Sequence, residues 1–339
     1  MGERTKEQAA GEQALSCLGA PVSFGILTAL AEKAYDPEGL RRAAGSPPTS
    51  TMRVYMRDLE DMRLVRRTRE KKFPGATLCE ITPAGAQLLR VGEVLDRWLE
   101  ESPHGPMSLG TPAAKSNVQA LIGGWSIYAI RALAAKPLRL TDLQRFVAGI
   151  SYPKLGRRLD AMSHVGLLDR YREAGTAGTF LKATPWLRRA PAPLALGIAW
   201  EGKWAPDLAA PIKRADIEAL FLLLVPLLEM PPSMSGVFRL VVDLQEGGQR
   251  DFGGVSIRVD AGKVISCTTR MQAVPTTSIS GDLPAWINWI AFREQKGLTI
   301  EGNGDQARSL GTRIRKAVAG PPPANSAPSR SKGSKSSRG

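Results

Sequence analysis

The chain has 339 residues, 43% of them apolar, and a formal net charge of +14. That length suggests two or three domains, with apolar content sufficient for real cores. The longest apolar run, IEALFLLLVPLL (217–228), contains Pro226 and is too short to span a bilayer, and Cys17, Cys79 and Cys267 fit neither metal nor disulfide spacing, so a membrane protein and a disulfide scaffold are excluded.

The charge is unevenly placed. Residues 1–101 balance 15 basic against 15 acidic side chains, 115–190 carry 13 against 4, and 205–319 carry 13 against 12. A clustered excess is the electrostatic footprint of a polyanion binder. The opening MGERTKEQAA is polar and does not read as a secretory signal, and the cysteines suit a reducing compartment, so a cytoplasmic protein is expected.

In chain order, helices are expected over 8–18 and 22–33, and a short third helix starts at Asp36-Pro37-Glu38. An amphipathic helix follows over 50–62, with Met52, Met56 and Leu59 inward and Ser50, Arg53 and Arg57 as outward candidates, diluted by Asp58 and Asp61. Two short strands within 64–81 flank a Pro74-Gly75 turn and carry Arg66, Arg67, Arg69, Lys71 and Lys72. A closing helix starts at Thr82-Pro83, and Pro and Gly reach linker density over 102–114.

The same grammar then repeats. Helices are expected over 115–122 and 125–135, from Thr141-Asp142, and over 152–164, followed by a hairpin within 167–183 and a helix from Thr184-Pro185. Aligning Met62–Val65 on Val165–Leu168 gives an offset of 103, which falls to 102 beyond the hairpins. Two divergent copies of one domain fit this pattern. In the second amphipathic helix Leu155, Leu159 and Met162 share one face at i, i+4 and i+7. Lys154 and Arg157 fall opposite, Arg158 lies on the flank, Ser151 with Pro153 suits the start and Gly166 the stop. Taken alone, such a helix reads first as a solvated surface element.

Residues 205–319 differ in kind. An apolar helix (214–229) precedes strands within 237–244 and 255–269, the latter turning at Asp260-Ala-Gly-Lys263, and strand–helix pairs occupy 276–295 and 298–314. Trp286, Trp289 and Phe292, at i, i+3 and i+6, either line an apolar groove or form plain core. The tail from 320, rich in Pro, Ser and Gly with four cations, cannot bury a core and is expected to be disordered.

Trp125, Leu140/Leu143/Phe146, Gly149-Ile150-Ser151, Leu155/Arg158/Leu159 and Gly166-Leu-Leu-Asp-Arg170 occur in an order that resembles the HxlR-type branch of bacterial winged-helix regulators. The first copy matches less well: Val22 stands for the Trp and Pro47-Pro-Thr-Ser50 for the G-I-S turn. The resemblance implies that the helix at 151–164 enters the DNA major groove and that the hairpin, with Arg170 and Arg172, grips the backbone. It also implies pairing through terminal helices, which a tandem repeat could achieve as an internal pseudo-dimer or a homodimer. The first copy would serve as a second DNA arm or as a packing partner. The IEGNGDQAR stretch (300–308) resembles sterol-carrier-type α+β domains, which hold a hydrophobic ligand between sheet and helices.

The expected fold is therefore α+β: tandem winged helix-turn-helix domains (1–101 and 115–204) joined by a linker (102–114), a sterol-carrier-like domain (205–319) and a disordered basic tail (320–339). Neither His104 nor His164 sits in a metal motif, and no nucleophile elbow, P-loop or dinucleotide fingerprint occurs, so no enzyme, cofactor or metal is expected. Expected partners are double-stranded DNA and a hydrophobic small-molecule effector, with no membrane. The function expected is a DNA-binding transcriptional regulator, cytoplasmic and nucleoid-associated, whose DNA affinity answers to an apolar ligand in the C-terminal domain. The alternatives are an architectural DNA binder without sequence preference and a hydrophobic-ligand carrier.

Overall fold

Four helices, a hairpin and a closing helix follow one another twice. The first set comprises α1 (Glu12–Gly19), α2 (Pro21–Glu32), α3 (Pro37–Ala43), α4 (Thr49–Asp61), β1 (Val65–Arg69), β2 (Thr77–Ile81) and α5 (Pro83–Glu100). The second comprises α6 (Pro112–Ile122), α7 (Ser126–Ala135), β3 (Leu138–Arg139), α8 (Leu140–Phe146), α9 (Tyr152–His164), β4 (Leu168–Tyr171), β5 (Phe180–Ala183), α10 (Pro185–Arg188) and α11 (Pro191–Trp204). This computed structural model describes residues 9–69, 77–123, 126–147, 150–175, 178–246, 249–271, 274–292 and 295–319. Lys71, Lys72, the Pro74-Gly75 turn, Trp125, Gly149, the side chain of Phe292 and the tail lie outside the described residues.

The same local chemistry builds both sets. Thr82 Oγ1 accepts from the Gly85 amide (3.2 Å) and donates to the carbonyls of Arg63 and Leu64 (2.7 and 3.1 Å). Thr184 repeats this with the Leu187 amide and the carbonyls of Gly166 and Leu167. One hydroxyl thus caps a helix and pins it to the end of the preceding one. Pairing of Val65 with Ile81 closes the first hairpin and pairing of Leu168 with Ala183 the second, so the second is one residue shorter. β3 adds to the second hairpin in the order β3-β5-β4, and a single Tyr35–Cys79 bridge takes its place in the first set.

Several segments depart from the sequence reading. Residues 102–111 are docked rather than free: Ser102 and Leu109 are buried, and the Leu109 amide donates to Asp96 Oδ1 (2.6 Å). After the second hairpin the helix stops at Arg188, and the Pro- and Ala-rich stretch that follows forms α11, whose Pro191, Leu194, Ile198 and Trp200 are buried. Although α11 follows the second set, it packs on α1 and α5 of the first. Trp200 Nε1 donates to the Ala84 carbonyl (3.0 Å), and the Glu201 carboxylate accepts from the Gly11 and Ala14 amides (2.8 and 2.9 Å).

The two sets also meet directly. α1 lies along α6, so close at Gly19 that an added Cβ would sit 3.0 Å from Val118 Cγ1. Trp98 of α5 and Trp186 of α10 stack with ring centroids 4.2 Å apart, and each indole N–H donates to the other's backbone carbonyl (3.1 and 2.8 Å).

The remaining elements are α12 (Arg214–Leu224), a 3-10 turn (Val225–Leu227), β6 (Gly236–Glu246), β7 (Gln249–Asp260), β8 (Lys263–Thr268), β9 (Thr277–Asp282), α13 (Leu283–Phe292), β10 (Thr299–Gly302) and α14 (Gly304–Ala319). The strands form one sheet in the order β10-β9-β6-β7-β8, parallel only between β6 and β9. Period-2 alternation puts Phe238, Leu240 and Val242 with Val255, Ile257 and Ile279 in a core under α12, α13 and α14. The strand at 237–244 and the turn at Asp260-Ala261-Gly262-Lys263 match the sequence reading. α12 also packs on α7, where buried Glu218 receives Arg131 and Arg214. The chain is a mixed α+β protein, and its three parts share one continuous core.

Candidate nucleic-acid interface

α9 is amphipathic as its spacing requires. Leu155, Leu159 and Met162 are at most 1% exposed, whereas Ser151, Tyr152, Lys154, Arg157 and His164 face solvent. Ser151 occupies the N-cap position in an extended conformation, but its hydroxyl makes no capping bond; Pro153 in the first turn supplies the start. Arg157 forms no hydrogen bond or ion pair with the described residues.

Arg158 lies on the flank of α9, where its spacing puts it, and is half-buried. Its guanidinium donates to the Gln119 and Ala120 carbonyls (2.6 and 3.1 Å) at the end of α6, and burial pulls its pKa down. A cation at these carbonyls also faces the negative end of α6. Arg158 therefore fixes α9 against α6, a role visible only once α6 is in place. Arg170 on β4 donates to Ser163 Oγ (3.1 Å) and pairs with Asp160 of α9, which ties the hairpin to the helix. Arg172, just beyond β4, is exposed. A cleft lined by Arg139, Thr141, Tyr152, Asp160, Arg170 and Thr179 separates the helix from the hairpin. Two exposed aromatic residues, Phe146 at the end of α8 and Tyr152 at the start of α9, flank the loop into α9; nothing in the sequence set them apart from core residues.

The first set presents a weaker field. Ser50, Arg53, Arg57, Arg66, Arg67 and Arg69 are all exposed. Three of them face carboxylates: Arg66 with Glu80 (2.9 Å), Arg67 with Glu60 (2.6 Å) and Arg57 with Asp58 (3.8 Å). Arg53 and Arg69 have no acidic partner among the described residues. Half-exposed Val54 stands on α4 where Arg157 stands on α9.

Of the residues expected to line a groove, Trp286 walls an apolar cavity of ≈ 250 Å³ among α11, α12, α13 and α14. Trp289 is buried edge-on against Trp286 (5.6 Å) and is not part of the lining. No group of His, Cys, Asp and Glu among the described residues could hold a metal, and no single described helix is long and apolar enough to cross a membrane. No protein-family model and no curated protein matches the chain.

Proposed function

We propose that this chain is a DNA-binding transcriptional regulator, built as tandem winged helix-turn-helix units with a sterol-carrier-like C-terminal part. In this reading α9 enters the major groove and the β4–β5 hairpin contacts the flanking backbone. One observation carries the reading: α9 buries its apolar stripe completely and presents Lys154 and Arg157 outward in a segment with 13 cations against 4 carboxylates. A helix of this kind fits the major groove, where guanidinium groups reach guanine edges or phosphates. The pairing of α1 with α6 supports an internal pseudo-dimer.

Selection of bound sequences from random duplexes, followed by anisotropy at stated salt, tests the reading. Arg157→Ala weakens the selected site by ~1–3 kcal/mol and relaxes preference at one base pair. Equal loss on every duplex turns Arg157 into a phosphate contact and favours the architectural alternative. Unchanged affinity removes α9 from the interface.

A further inference from the structure

We propose that the cavity beneath α11 binds a medium-chain carboxylate, and that its occupant acts on the DNA-binding units through α11. The lining joins Ala192 and Ala195 of α11, Leu220 and Phe221 of α12, and Trp286 of α13. The Trp286 indole N–H is already spent on the Val241 carbonyl (2.8 Å), so the ring offers the cavity only its hydrocarbon surface. Among the described residues that line it, only Arg315 carries a charge. Arg315 is half-buried, and its guanidinium donates to the Thr312 hydroxyl (2.9 Å) and the Trp289 carbonyl (3.4 Å).

Size and charge together define the occupant. An apolar cavity of ~150 Å³ takes benzene, so ≈ 250 Å³ suits about ten carbons. An apolar lining with a single guanidinium matches a hydrocarbon chain carrying a carboxylate, which Arg binds in bidentate fashion. The tail of this chain is no competitor, because 320–339 contain no large apolar side chain.

The consequence lies in what α11 touches elsewhere. Its first turns face the cavity, while Trp200 and Glu201 near its end hold α5 and the start of α1. An occupant that wedges the N-terminal half of α11 bears on the contact between the two sets. This second step rests on the function proposed above; the binding step does not.

Calorimetry on the full chain with decanoate and decanol tests the site. One saturable decanoate site is expected. Arg315→Leu weakens decanoate about tenfold, the size of one charged hydrogen bond, and leaves decanol unchanged. Ala195→Phe fills the cavity and abolishes both, with Ala195→Ile as a milder filler should the larger one fail to fold. No saturable binding, or wild-type binding by both fillers, overturns the site. In the second arm, saturating decanoate changes the affinity for the selected duplex by ~5–150-fold, and the duplex changes decanoate affinity by the same factor. Decanoate binding with unchanged duplex affinity overturns the action through α11. Absence of any duplex binding counts against the DNA-binding reading and leaves the calorimetric result standing.

Discussion

Arg63 and Gly166 stand at the same turn of the two copies, each in the left-handed region (φ 59° and 81°) just before a hairpin. A side chain there costs ~1–2 kcal/mol, while glycine loses more entropy on folding. The exposed Arg63–Asp207 pair, 3.6 Å apart, offsets little of this. Arg63→Gly should therefore raise stability by ~0.5–1 kcal/mol, read as a higher urea midpoint. Gly166→Ala should do the reverse and more strongly. Its Cβ would lie 2.5 Å from Pro103 Cγ, so strain and collision add to a loss above ~2 kcal/mol. Equal midpoints for Gly166→Ala and wild type would show that the docked segment at 102–111 yields freely.

At the scale of elements, the start of α12 carries a pH dependence. Asp216 accepts from the Lys213 amide (2.7 Å) at the helix N-terminus, yet burial pushes its pKa up to about 6 from 3.8. The folded state thus holds a proton that the unfolded chain releases, so stability falls as pH rises from about 4 to about 6. Asp216→Asn keeps an acceptor and removes the ionisation. It should be more stable than wild type at pH 7, by up to ~3 kcal/mol, and gain nothing at pH 4. Urea melts of both proteins at the two pH values check this, and parallel pH profiles would refute it. Elements whose partners lie close in sequence were legible beforehand. The 3.6-residue period of Leu155, Leu159 and Met162 located α9, and the Thr-Pro pairs located the starts of α5 and α10. Periodicity places Arg158 on a flank but cannot say that the end of another helix waits there. The Pro and Ala content of α11 resembles that of a linker, and its burial depends on a surface about a hundred residues upstream.

For the whole molecule, the joint between the copies is specific rather than merely apolar. The reciprocal bonds of Trp98 and Trp186 satisfy two buried indoles and two carbonyls at once. Trp186→Ala removes the stack and leaves the Trp98 carbonyl without its indole donor beside a cavity, and should cost ~3–5 kcal/mol. In hydrogen exchange, the amides of α5 and α10 should lose protection before those of the β6–β9 sheet; uniform loss would mean that the joint and the sheet open as one unit.

The α1–α6 contact closes within a single chain, and this changes how a target is met. A dimer assembled from separate chains dissociates on dilution, so its occupancy follows a steep power of concentration. Here the two halves stay together at any dilution, so under the proposed function occupancy would rise with the first power of the amount present. A symmetric dimer also repeats one surface and demands mirrored half-sites. In this chain Thr51 and Val54 stand on α4 where Lys154 and Arg157 stand on α9. Under the function proposed above, a duplex that suits both helices would therefore be non-palindromic, and the bound protein would point one way along it.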